Sequence, residues 1–224
     1  IGMAAVVIVR GQGLPPGALL PGLGAGLLLV VCVATFYRAL AIGVMSVVGP
    51  ILSLGTIVPV VVGLASGERP SAPQLLGIVI GLSGVLLATR TKSAGEHHEA
   101  TSRTSVVLAV VGALAWGFVM VLYAHGAQSD AYWTVFLSRV TAVTVFALAF
   151  VVTRPPLKMT PVSVLPIVAI GVLTVGGNAL FSVATTLGYL SIVSVLGSLS
   201  PVFVVVLAYV FLQERLSPMQ RTGV

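Results

Sequence analysis

Two arginines stand inside long apolar runs of this sequence, Arg38 in FYRAL and Arg139 in FLSRVTAV. A guanidinium in hydrocarbon costs several kcal/mol unless carbonyls, an anion or water meet its N–H donors. Arg139 falls a few residues from the middle of its run. It either meets an anionic group in a cavity or locks a neighbouring helix by donating to its carbonyls. Arg38 lies nearer the end of its run, where its aliphatic stem can carry the charge to the membrane interface. Asn178, Ser182 and Thr185 recur at i, i+4, i+7, which sets them on one face of a helix. Such a polar face turns away from lipid, toward another helix or toward a cavity. Trp116 sits in mid-run beside Gly112 and Gly117 instead of at an interface, where its indole can wall an organic group or fill a helix contact. The chemistry on offer is non-covalent recognition of a small anion or zwitterion. An arginine would meet the carboxylate, Asn178, Ser182 and Thr185 would orient polar groups, and Trp116 would cover an apolar part.

Reactive groups are otherwise sparse. No nucleophile and base stand at a catalytic spacing, no glycine loop has the form of a phosphate cradle, and no metal-ligand spacing is present. The EHHE run at residues 96–99 sits in a polar stretch, where adjacent histidines point in different directions and make a poor preformed site. No cofactor and no metal are expected. The five acidic residues, Glu68, Glu96, Glu99, Asp130 and Glu214, all fall in loops or at the ends of apolar runs. No visible span therefore carries a mid-membrane carboxylate for proton relay. Glu68 and Glu214, beside Arg69 and Arg215, read as charges that pin their turns. The net charge of +6 reports loop cations facing anionic lipid, not nucleic acid. Cys32 is the lone cysteine, so no disulfide forms within the chain.

The elements that must position these groups are membrane helices. With 58% apolar and 7% charged residues and a mean hydropathy of +1.15, the chain has too little polar surface to coat a soluble core. A hydrocarbon layer of about 30 Å takes about 20 apolar residues per helix. Polar and Pro/Gly-rich breaks leave a remnant at 1–9 and spans at 18–42, 44–65, 73–89, 105–124, 131–153, 162–186 and 190–212. Tyr37 and Tyr123, toward span ends, suit an aromatic belt, and Pro50, Pro59 and Pro201 suit kinks or hinges.

The chain also repeats itself. At an offset of 145, Pro16, Pro21, Gly26, Phe36, Gly43, Ser46 and Ser53 meet Pro161, Pro166, Gly171, Phe181, Gly188, Ser191 and Ser198. At an offset of 146, Glu68, Arg69, Ser71 and Gly77 meet Glu214, Arg215, Ser217 and Gly223. The division is a first repeat at 1–90, a polar linker at 91–103 and a second repeat at 104–224. Each copy supplies spans that the other lacks at the ends of the sequence. The expectation is an all-α integral membrane protein of two inverted repeats of five transmembrane helices. The first helix, most of the second and the last would be absent from this fragment of a ten-helix transporter.

The GER at Gly67–Arg69, the PVF at Pro201–Phe203 with Glu214 thirteen residues after Pro201, and GALAWGFVMVLY at 112–123 resemble the EamA-type branch of the drug/metabolite transporter superfamily. The resemblance runs over nearly the whole chain. It implies a multi-pass protein, not an enzyme, of the bacterial inner membrane. Such a protein exports small metabolites such as amino acids by alternating access, with the lipid bilayer and a small-molecule substrate as its partners. Monomer and homodimer both stay open. The first copy has Gly55 where the second has Pro201, with Pro59 nearby. A nucleotide-sugar or phosphate-ester exchanger is the nearer rival, but it would be expected to bring several Lys or Arg into the spans, and only Arg38 and Arg139 are there. A membrane scaffold would need large exposed loops. The resemblance implies a cytoplasmic N-terminus, whereas the loop cations, two against seven, favour the reverse by the positive-inside rule.

Overall fold

The computed structural model describes Val7, Gly11 and residues 13–89, 102–154 and 164–199. EHHE, Pro201 and Glu214 lie outside the described residues. The described residues are mostly helical, and no strand is found among them. The helices are α1 (Pro16–Ile42), α2 (Met45–Ser53), α3 (Ile57–Ala65), α4 (Ala72–Thr89), α5 (Arg103–Thr153), α6 (Val164–Leu187) and α7 (Leu190–Gly197). Among the described residues, four stretches are long and apolar enough to cross a membrane: Pro16–Ile42, Val47–Ala65, Arg103–Thr153 and Pro166–Leu187.

Local chemistry sets the boundaries. Proline at the first position of α1 loses no intrahelical bond. Ser71 precedes α4, and its backbone N–H donates to Gln74 Oε1 at 2.8 Å, one half of a capping box. The expected spans at 105–124 and 131–153 join in α5 with one interruption, Asp130, whose backbone is extended at φ −163° and ψ 117°. Its Oδ1 accepts from the N–H groups of Tyr132 and Trp133 at 2.8 and 2.9 Å, so an aspartate N-cap restarts the helix. The chain needs no loop there. The span at 44–65 is not continuous: a 3-10 turn at Leu54–Thr56 separates α2 from α3. Pro59 is the cause, because it has no N–H to return to the carbonyl of Gly55 four residues earlier.

The chain divides into two compact units, one made of residues 1–30 and 122–188, the other of 31–121 and 189–224. In the first, α1 lies against the second half of α5 through small residues. A Cβ on Gly22 would sit 2.7 Å from Leu137 Cβ, and one on Gly26 would sit 2.5 Å from Thr141 Cβ. Glycines four apart let two membrane helices approach to backbone contact, where dispersion and weak polar contacts drive association in lipid. Much of α6 in this unit presents apolar side chains outward, among them Ile170, Leu173 and Leu180, the composition of a lipid-facing surface.

In the second unit, Ala39, Val48 and Ala109 form a core covered by Phe36, Leu40, Ile51, Leu52 and Leu108. A second core of Val60, Ile78 and Val195 holds α3, α4 and α7 together. Ser105 Oγ donates to the carbonyl of Ala39 at 2.9 Å, tying the start of α5 to α1. Deeper along α5, Gly112 faces Thr35 and Leu52, and Gly117 faces Gly55 and Val58.

Candidate functional site

The first unit contains Arg139 on the second half of α5 and the polar face of α6. A hydrogen-bonded network fixes their surroundings. Ser138 Oγ donates to the carbonyl of Val135 at 2.8 Å, which spends its proton, so the 2.9 Å bond between Tyr123 and Ser138 runs from the phenol to Ser138 Oγ. Ser182 Oγ of α6 donates to the carbonyl of Tyr123 at 3.3 Å. Tyr123 thus joins both halves of α5 to α6. It is 1% exposed, which corrects the expectation of an aromatic-belt position. Its ring occupies an interior packing position, where the hydroxyl needs the partner that Ser138 provides. Tyr123→Phe is expected to lower stability by about 1 kcal/mol, the usual net worth of such a bond. Thermal unfolding in detergent measures it.

The three residues of the polar face divide by what their donors do. Ser182 is fully buried and bonded to Tyr123, and Thr185 Oγ1 donates back to the carbonyl of Ser182 at 2.7 Å. Both hydroxyls are committed to holding helices. Asn178 differs: its Nδ2 is buried and has no hydrogen-bond partner among the described residues. Arg139 differs in the same way, with Nε and Nη2 both buried and unpartnered. Arg139 follows Ser138 directly, and Asn178 stands one turn before Ser182 on the same face. Ser138 and Ser182 both reach Tyr123, so the network anchors the helix segments carrying Arg139 and Asn178. Buried guanidinium donors without partners are costly, and a carboxylate can accept two parallel N–H bonds from Nε and Nη2.

Trp116 and Arg38 belong to the second unit. Trp116 is half-buried on α5, between Ala115 and Gly117, which are buried. Arg38 is exposed on α1 next to Tyr37, itself 65% exposed.

The sequence profile described as the EamA-like transporter family matches residues 103–224, more than half of the chain. The chain belongs to the EamA-like transporter family. It is therefore an integral, multi-pass membrane transporter of the drug/metabolite transporter superfamily, a group of transporters and not of enzymes. A solved structure described as "Crystal structure of protein" shares this fold, with a TM-score of 0.79 and 19% identity over 99% of this chain and 77% of that one. No curated protein matches the sequence.

One residue of this EamA-like transporter has a larger task than its place in the sequence indicates. Glu68, expected only to pin its turn, accepts from the N–H of Leu190 at 2.5 Å and from the N–H of Ser191 at 3.0 Å, both in the second unit. The end of α3 positions it. The N–H of Glu68 bonds the carbonyl of Gly63, and that of Gly67, at φ +95°, bonds the carbonyl of Leu64. This is a Schellman motif with glycine in its left-handed position. Gly63 also leaves room, since a Cβ there would lie 2.5 Å from Glu68 Oε2. The carboxylate thereby caps the positive end of α7 from 122 residues away. Nothing in the spacing of the sequence marks this contact, because it depends on how α3 and α7 pack.

Proposed function

We propose that this EamA-like transporter exports small carboxylate-bearing solutes, amino acids or related zwitterions and anions, across the bacterial inner membrane by alternating access. The observation that carries the reading is that Arg139 Nε and Nη2 are buried and have no hydrogen-bond partner among the described residues. A substrate carboxylate answers both through a bidentate, charge-assisted pair, and Asn178 supplies a further free donor in the same unit. The acidic residue described in that unit, Asp130, serves as a helix cap, so a cation would find little to draw it to Arg139. One cationic side chain suits one carboxylate better than the multiple charges of a phosphate ester.

The experiment is a substrate panel on the protein reconstituted in proteoliposomes. Neutral and acidic amino acids are expected to exchange. Transport confined to a quaternary ammonium drug, or to a nucleotide sugar, would overturn the assignment.

A further inference from the structure

Ser191, in the first turn of α7, is fully buried, and its Oγ has no hydrogen-bond partner among the described residues. It stands beside the carboxylate of Glu68. The N–H of Ser191 donates to Glu68 Oε2 at 3.0 Å, and that of Leu190 donates to Oε1. A buried hydroxyl left unpaired costs free energy, so its place next to a carboxylate calls for a second state in which it is paired. The donors and acceptors around the turn define that state. An ionised carboxylate only accepts, and both oxygens of Glu68 do so. A protonated one carries an O–H that must donate. At the end of α3 the carbonyls of Val62, Gly63 and Leu64 already accept from the N–H groups of Ser66, Glu68 and Gly67. The start of α7 presents N–H groups and no carbonyls. Ser191 Oγ is the acceptor left within reach, on the residue whose N–H already meets Oε2.

We propose that Glu68 and Ser191 form a proton-binding site that controls the hold on the start of α7. Ionised, Glu68 accepts from Leu190 and Ser191 and fixes the first turn. On taking a proton from solvent it donates its O–H to Ser191 Oγ. The neutral carboxyl then grips the two N–H groups less firmly, because hydrogen bonds to a charged acceptor are about twice as strong as neutral ones. α7 has no side-chain cap of its own to replace it, since Tyr189 before it is extended (φ −63°, ψ 134°) and makes no capping bond. Protons can reach the site, because Glu68 is half-buried just past the end of α3. Among the described residues, α3, α4 and α7, which pack together around Val60, Ile78 and Val195, carry no titratable side chain. The charged and titratable neighbours are Arg69, which is exposed, and Tyr189, which is 41% exposed. An arginine holds its charge and a phenol its proton from neutral to acid pH, so Glu68 is the group that changes state.

Hydrogen exchange reads this hold without any solute, so the test stands apart from the substrate assignment. The amides of Leu190 and Ser191 are followed in detergent from neutral to acid pH, corrected for the slower intrinsic exchange in acid. The pH range is the one in which the α5 segment around Val119 keeps its protection, which separates local release from unfolding. The native chain should lose about tenfold or more of the protection at these two amides in acid, the worth of hydrogen bonds to a charged acceptor. Glu68→Gln has one oxygen in place of two and an N–H donor for Ser191 Oγ, so it should show the low protection at every pH. Ser191→Ala keeps both backbone donors and should match the native chain at neutral pH. It should then hold α7 to a lower pH, because its protonated carboxyl finds no acceptor. Native protection that survives acid overturns the proposal. So does a Ser191→Ala chain that releases α7 at the native pH, or a Glu68→Gln chain that keeps the native pH dependence.

Discussion

Arg139→Met is expected to abolish transport while leaving the protein as stable as before, or more so. The two roles open to a membrane arginine separate on this outcome. An arginine that locks helices donates to carbonyls, and its removal strips those bonds and lowers the melting temperature. Arg139 has Nε and Nη2 buried and bonded to nothing among the described residues, so its removal frees the fold of two unpaired buried donor groups. Exchange of a buried charge for an apolar side chain of similar volume is commonly neutral or stabilising. Binding of a carboxylate suffers instead. Loss of one partner of a buried charged pair costs about 2–5 kcal/mol, a fall in affinity of about 30-fold or more. Arg139→Lys keeps the charge but loses the planar fork, and should fall between. Counterflow of a labelled amino acid in proteoliposomes and unfolding in detergent are the paired measurements. A large drop in melting temperature with residual transport would return Arg139 to a structural role.

Gly117→Val should prevent folding, and Gly117→Ala should cost about 1–3 kcal/mol. A Cβ at Gly117 falls on the carbonyl oxygen of Gly55 and lies 2.5 Å from Val58 Cβ. The oxygen belongs to the backbone of the 3-10 turn and cannot swing aside like a side chain. Gly55 is closed in the same way, since its own Cβ would fall on the carbonyl oxygen of Ala113. These two glycines let α5 approach the break between α2 and α3 at backbone distance. Gly49→Ala, within α2 and with open space around it, is the control and should be neutral or slightly stabilising. Melting in detergent, with the yield of folded protein, decides it. A Gly117→Ala protein that melts like the native one would mean the approach is looser than described.

Much of this molecule was legible as text. Apolar content and run lengths place the helices in a membrane, since lipid offers backbone groups no hydrogen bonds and helices satisfy their own. Asp130, the aspartate between two apolar runs, marks the helix restart, because its short carboxylate suits an N-cap. Gly67 and Glu68 mark the end of α3, because glycine takes the positive φ at least cost. Arg139 and Asn178 stand out as polar groups in apolar runs for the same reason that makes their burial costly. All these signals are local: one residue type, or one spacing along one helix, carries each of them.

What the sequence could not decide was which of its polar groups find partners. Ser182 and Thr185 share a helix face with Asn178, yet the fold spends their hydroxyls on Tyr123 and on the helix backbone and leaves Asn178 Nδ2 without a partner among the described residues. Tyr123 reads as an interface residue until α5 and α6 enclose it. Glu68 reads as a turn charge until packing delivers the start of α7 to it from 122 residues away. A hydrogen bond needs its two groups within about 3 Å, and for residues far apart in the chain only packed helices set that distance. The sequence by itself determined the membrane helices and the list of candidate donors. Tertiary structure alone decided which donors are spent on the fold and which remain for a ligand, because partnership is a property of two surfaces and a sequence displays them one at a time.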